Sequence, residues 1–181
     1  NLEYGIIGNC RSAALISKTG YIDWCCLPEF DSSSVFAKLL DEEIGGSFGF
    51  KVDNSYTISQ EYYKNTSVLV TRFSNGEDAF SVWDFMPRYY EEDGGYNSPP
   101  DVIRYIEHIS GNPKMRVDYN PKLEYALGVT NTYVKDDFIV SSTKSLSKKG
   151  DLISKLFAIL ILSTLTKISS DNHVFVSTYK V

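Results

Sequence analysis

The chain has 181 residues, with 18 Lys and Arg against 23 Asp and Glu for a formal charge of −5. No basic run exceeds Lys148-Lys149, so the electrostatic footprint of a nucleic-acid binder is missing. Hydrophobic residues at 43% and charged ones at 23% exclude a disordered chain and predict one domain over residues 1–181, which can bury about 70% of its unfolded surface without metal or disulfide.

In chain order, Ala13 to Ser17 and Tyr21 to Leu27 are short apolar runs around Lys18-Thr19-Gly20, a turn in which Gly supplies a positive φ. They predict a first hairpin. After Pro28, the oxygens of Asp31-Ser32-Ser33-Ser34 can cap a helix, and Val35, Phe36, Leu39 and Leu40 fall at helical spacing before Gly45-Gly46. One short helix is expected there. Val68 to Phe73 and Ala79 to Phe85 flank Asn75-Gly76, which predicts a second hairpin. Glu91 to Pro100 reads as a long loop inside the domain.

Val102 to Ile109 alternates Val102, Arg104, Ile106 and His108 on one side with Ile103, Tyr105, Glu107 and Ile109 on the other. Gly111-Asn112-Pro113 then turns the chain toward Met115 to Tyr119, and a third hairpin is expected. Thr132 to Lys135, Phe138 to Ser142, Phe157 to Leu162 and Val174 to Tyr179 are further strands, set apart by turn signals at Asp136-Asp137, Lys148-Lys149-Gly150 and Ser169-Ser170-Asp171-Asn172. Ile153 to Leu165 fits either a strand or a buried helix, because short apolar runs do not decide between them. Thirteen Tyr, 10 Phe and 2 Trp favour pleated, half-buried surfaces. The fold class is therefore all-β, a large antiparallel sandwich of the super-sandwich type with one short helix.

Three cysteines, Cys10, Cys25 and Cys26, have no metal-ligand spacing, and Cys25 and Cys26 point to opposite faces of a strand. Reduced thiols in the cytoplasm are the expectation, with no cofactor and no metal. No basic and apolar leader is visible at Asn1-Leu2-Glu3-Tyr4. The most apolar stretch, Leu156 to Leu162, falls far short of the roughly 20 residues of a membrane helix.

Three ordered blocks carry a resemblance. The first runs Ile7-Gly8-Asn9-Cys10-Arg11-Ser12-Ala13-Ala14-Leu15-Ile16, through Gly20-Tyr21-Ile22-Asp23-Trp24, to Leu27-Pro28-Glu29-Phe30-Asp31-Ser32 and Val35-Phe36. The second is Tyr63 to Phe73 with Asp84-Phe85-Met86-Pro87-Arg88. The third is Arg104 to Gly111 with Met115-Arg116-Val117 and Asn120-Pro121. Together they resemble the N-terminal, trehalase-like β-sandwich of glycoside hydrolase family 15, the glucoamylases and trehalases. The likeness covers roughly residues 4–126 and thins beyond Ser142. Glu29 stands where relatives usually carry Arg, and Ser33 where Pro is common.

The resemblance implies an antiparallel sandwich followed by a helical (α/α)6 barrel. In the family two glutamates of that barrel act as general acid and base in inverting hydrolysis, a reaction that needs carboxyls roughly 6.5 to 9.5 Å apart. No helical run is left in this chain for such a barrel, so no catalytic residue is expected in it. Its partner is expected to be the catalytic domain of the same parent protein.

Individual residues admit sharper readings. Asp23, Asp31 and Asp84 could form an acid pair. The favoured reading makes Asp31 the helix cap and lets Asp23 and Asp84, each beside a Trp, satisfy turn amides or the indole N–H. His108 and His173 lack the spacing of a zinc or nucleophile site. Asn9, Arg11, Pro28, Glu29, Phe30 and Asp31 look like a domain or subunit interface, an exposed Phe beside charges being the composition of a docking edge. Tyr62, Tyr63, Tyr89 and Tyr90 are candidates for stacking on a pyranose, since adjacent tyrosines cannot both face a core. A stand-alone carbohydrate-binding module for α-glucans or trehalose is the alternative reading. A docking face left uncovered would favour homo-oligomers. Asn65-Thr66-Ser67 matches a glycosylation acceptor with no secretory signal to support it.

Overall fold

A computed structural model describes residues 3–135, 138–146, 152–162 and 174–179. The turn signals at 136–137, 148–150 and 169–172, and His173, lie outside the described residues. Strands dominate: β1 (Tyr4–Gly8), β2 (Ala13–Ser17), β3 (Ile22–Cys26), β4 (Ser34–Phe36), β5 (Ser47–Lys51), β6 (Thr57–Tyr62), β7 (Leu69–Ser74) and β8 (Ala79–Phe85) fill the first half. Then come β9 (Tyr89–Tyr90), β10 (Tyr96–Asn97), β11 (Ile103–Ser110), β12 (Arg116–Asn120), β13 (Asn131–Lys135), β14 (Phe138–Leu146), β15 (Leu152–Leu162) and β16 (Val174–Tyr179).

They build one sheet in the order β1-β2-β3-β5-β12, with β4 added on β3, and a second in the order β13-β14-β15-β16-β11-β8-β7-β6. The all-β sandwich is thus what forms. Alternation explains the core between the sheets, since every second side chain of a strand points inward. Ile7, Ile16, Ile22, Phe48 and Phe50 come from the first sheet, and Phe73, Phe80, Val82 and Ile106 from the second. Phe73 and Phe80, directly opposite in the β7–β8 register, stack at 4.6 Å.

The first hairpin forms as β2 and β3, and Gly20 turns it with φ 79. The second forms as β7 and β8, where Gly76 has φ 101. β15 settles the strand-or-helix alternative for its residues in favour of strand.

Two expectations are corrected. The short helix after Asp31 is absent: Ser34–Phe36 pairs with β3, and Ala37 and Lys38 bond back to the carbonyls of Gly45 and Gly46. Ser34, Val35 and Phe36 are all buried, which an amphipathic helix with one apolar stripe cannot accomplish. The only helical turn among the described residues is the short 3-10 piece Glu124–Ala126.

The third hairpin does not close either. β11 lies between β8 and β16, whereas β12 crosses to pair with β5 in the other sheet. Both flanks of β11 are already occupied, and the turn after it is held by its neighbours: Ser110 Oγ donates to the Glu77 carbonyl and the Asn112 N–H to Asp78. The long loop 91–100 forms inside the domain as expected, with Tyr96–Asn97 pairing back to Tyr89–Tyr90 as a small antiparallel ribbon.

Candidate functional site

One end of the sandwich gathers the β1–β2 turn, the loop after β3, the segment after β8 and the 3-10 turn. Asn9 is the knot. Buried in its turn, its side-chain amide donates to the Pro87 and Pro99 carbonyls at 3.2 and 2.8 Å, and its Oδ1 accepts from the Arg11 and Ser12 amides at 3.1 Å each. Ser98 Oγ donates to the Asn9 carbonyl at 3.0 Å. Asn suits the position because one amide offers two donors and one acceptor. Its role here is to fix two loops against each other.

Arg11 and Glu29 join in an exposed ion pair at 3.3 Å, and the Phe30 amide donates to the Arg11 carbonyl at 3.1 Å. An exposed pair like this contributes little stability, about 0 to 1 kcal/mol. It does orient the loop, which enters through the cis Leu27-Pro28 bond and turns where the Ser32 amide bonds the Glu29 carbonyl. Pro28 is half-buried, whereas Glu29, Phe30 and Asp31 are exposed. The six interface candidates therefore sit together, with Asn9 inside and Phe30 outside.

The next loop along this end joins in. Ser33 Oγ hydrogen bonds to the Glu124 carboxylate, Tyr125 Oη donates to the Ser32 carbonyl at 3.3 Å, and the Tyr125 ring lies 6.5 Å from that of Trp24. Glu124, Tyr125 and Ala126 have φ of 57, 56 and 59°. Left-handed backbone costs L-residues roughly 1–2 kcal/mol each, so this turn persists because its surroundings hold it. No motif in the sequence flags it, because none of the three residues is Gly or Asn.

The tyrosine candidates divide. Tyr62 Oη accepts from the Ile6 amide at 2.7 Å and donates to the Ile6 carbonyl at 3.0 Å, fastening the free edge of β1 to β6. Tyr63 leans on Trp83 at 5.2 Å, and Lys64 Nζ stands 4.9 Å from the Tyr63 ring centre. Tyr89 and Tyr90 are exposed on the ribbon, where Tyr90 meets Tyr96 edge-on at 5.3 Å. Arg88 stacks over Tyr96 at 4.3 Å and donates to Cys10 Sγ at 3.1 Å, which ties the ribbon to the β1–β2 turn.

The aspartates do not behave as their Trp neighbours suggested. Asp84 is fully buried and takes a two-pronged ion pair from Arg104, at 2.7 Å to Nε and 3.0 Å to Nη2. Complete burial pushes its carboxyl above the ordinary range, and the Arg104 charge pulls the other way. The Trp83 indole instead donates to Glu107 at 2.9 Å. Asp23 accepts from Tyr4 Oη at 3.2 Å, and its other oxygen is buried with no partner. Asp31 caps nothing, there being no helix. Asp84 is sealed and Asp31 lies open to solvent, so the three do not form an acid pair. Sequence reading missed Arg104, although its place on the Val102 and Ile106 side of the alternation was the signal.

Cys25 and Cys26 are both buried, Cys25 within the core cluster, and a register shift in the β3–β4 pairing falls between them. Burial pushes both thiols up, Cys25 well beyond the reactive range, as expected of inert core cysteine. Among the described residues no three His, Cys, Asp or Glu side chains cluster as a metal site. No helix among them is long and apolar enough to cross a membrane.

A family model described as trehalase-like, N-terminal matches residues 3–146. The chain belongs to that family. Similar proteins include a trehalase of Thermoplasma volcanium, 37% identical in a 163-residue alignment that covers 83% of this chain and 26% of that protein. Another trehalase, from Thermoplasma acidophilum, is 37% identical over 62% of this chain and 19% of its own length. Trehalase 2 of Sulfolobus acidocaldarius is 31% identical over 82% of this chain and 23% of its own length. The trehalase-like chain thus spans about a quarter of the curated relatives it matches. No solved structure matches it.

Proposed function

We propose that this chain is the non-catalytic accessory domain of a trehalase-like glycoside hydrolase of family 15, docking on and supporting a helical (α/α)6 catalytic domain that hydrolyses α-glucosidic bonds with inversion. The observation that carries the reading is the mismatch of lengths: 83% of this chain aligns with only 26% of a trehalase. The buried carboxyls support it too. Asp84 is committed to Arg104 and Asp23 to Tyr4, whereas inverting hydrolysis needs two carboxyls facing a water across a sugar. What this chain supplies is a rigid surface, its loops fixed by Asn9. Trehalose is the proposed substrate of the parent enzyme, glucoamylase-type substrates being the variant. The reduced thiols suit a cytoplasmic setting.

The test compares the full-length protein carrying this chain with residues 1–181 alone, by glucose release from trehalose and maltose. Release is expected from the full-length protein only. Glucose formed by residues 1–181 above a buffer blank, and lost in Asp23→Asn or Asp84→Asn, would replace the proposal with a self-contained enzyme.

A second reading, a sugar-binding module for α-glucans or trehalose, is favoured by the exposed Tyr89, Tyr90 and Tyr96 of the ribbon and by Tyr63 beside Trp83. Titration with maltooligosaccharides and trehalose, followed by Trp fluorescence, separates it. A saturable change removed by Tyr63→Ala supports the module, and a flat signal at millimolar sugar removes it.

A further inference from the structure

The loop after β3 and the 3-10 turn jointly display four apolar side chains: Phe30 is 61% exposed, Tyr125 45%, Leu127 85% and Val129 77%. These are not side chains of a loose loop. Leu123 is buried at the entry, where its amide receives no strand partner but donates to Thr130 Oγ1 at 3.0 Å, and Thr143 Oγ1 donates to the Val129 carbonyl at 3.1 Å at the exit. In between, the left-handed backbone of Glu124 to Ala126 is braced on Ser32 and Ser33. Leu123 and Tyr125 tie the turn to the sandwich, through the core and through Trp24 and Ser32, whereas Leu127 and Val129 stand in solvent and add nothing to the core. Pre-organised apolar anchors with a polar rim are what a stable interface uses. The rim is present: Arg11, Glu29 and Asp31 border Phe30.

We infer that Phe30, Tyr125, Leu127 and Val129 form the contact through which this domain seats on the catalytic part of the same polypeptide. The inference rests on the accessory reading above and adds which surface is used. That occupant is chosen because relatives carry about three quarters of their length beyond the aligned segment. A second copy of the chain is a competing occupant that the experiment separates.

The experiment uses the full-length protein with Cys10→Ser as background. Leu127→Cys and Val129→Cys are compared with Glu77→Cys, an exposed position at the β7–β8 turn, by the rate of maleimide labelling read on the individual peptides. Because 127 and 129 are exposed in the sandwich itself, substitution there leaves folding intact. Labelling at 127 and 129 at least tenfold slower than at 77, unchanged on dilution, is expected. Protection that vanishes on dilution would assign the face to self-association and overturn the proposal. Equal rates in a protein that melts in one transition would mean that the domains dock elsewhere, leaving the accessory reading intact. Equal rates together with two independent transitions would remove both readings. As a second measurement, Leu127→Asp is expected to split a single melting transition into two.

Discussion

Arg104 shows how one side chain can organise two sheets. It leaves β11 in the second sheet, pairs with Asp84 on the neighbouring β8, and donates to the carbonyls of Phe48 at 2.7 Å and Gly20 at 2.5 Å in the first sheet. The Phe48 and Phe50 rings lie 4.8 and 5.0 Å from its guanidinium carbon. The planar fork reaches four acceptors at once, a geometry that a Lys ammonium cannot reproduce. Truncating one partner leaves a buried charge uncompensated. Asp84→Ala is therefore expected to cost about 3–5 kcal/mol, measured by urea denaturation, and Arg104→Lys a large part of that. The double variant Asp84→Leu with Arg104→Met should lose less than the sum of the single truncations, because neither charge is left alone. Additive losses would mean that the two side chains act separately.

At the level of elements, the edge of the first sheet is closed by a side chain and not by a strand. Tyr62 Oη engages both backbone groups of Ile6 on the free edge of β1, and such edges otherwise invite pairing with other chains. Tyr62→Phe is expected to cost about 0.5–1.5 kcal/mol and to speed amide exchange at Ile6, leaving exchange in β7 and β8 unchanged. If exchange at Ile6 did not respond, the hydroxyl would not be what guards the edge. Such pairings show where the sequence could be read and where it could not. Hairpins with a Gly-bearing turn between apolar runs, β2–β3 and β7–β8, were legible because turn and register are local. The partner of β12 was not legible, because Gly111-Asn112-Pro113 fixes a reversal but not which sheet receives the strand. Ser34 to Phe36 misled because helical spacing and a short fully buried strand share the same apolar positions. β6 stayed hidden because its half-buried positions alternate as Ile58 and Gln60, and a polar Gln at an inward position breaks the apolar pattern. At the candidate site, Phe30 and its charged neighbours were visible as composition. The turn at Glu124 to Ala126 was invisible, since its left-handed backbone is imposed by contacts from Ser32 and Ser33 and not by its own residues.

For the whole molecule, two kinds of electrostatic cost act in the same direction as pH changes. The chain carries a net −5 at neutrality, and repulsion among like charges opposes the compact state. Burial meanwhile pushes the carboxyls of Asp23 and Asp101 above their ordinary 3.8. For Asp23, burial outweighs the opposing pull of Lys38, the Tyr4 hydrogen bond and Arg104, and Glu42 adds to the upward push. A carboxyl with a raised folded value binds its proton more tightly in the folded state than in the unfolded one. Stability is then gained as pH falls through the folded value, and the gain is complete below the unfolded value of 3.8. Asp53 works the opposite way, lowered by its bonds to Ser55, but it is fully exposed and screened by solvent. The denaturation midpoint in urea is therefore expected to rise as pH is lowered from neutrality through the acid range in which these raised carboxyls take up their protons. Asp23→Asn removes a buried charge whose Oδ1 has no hydrogen-bond partner, while keeping an acceptor for Tyr4, so it should raise the midpoint at neutral pH and flatten the pH profile. A variant profile parallel to that of the unaltered chain would place the proton uptake on other groups.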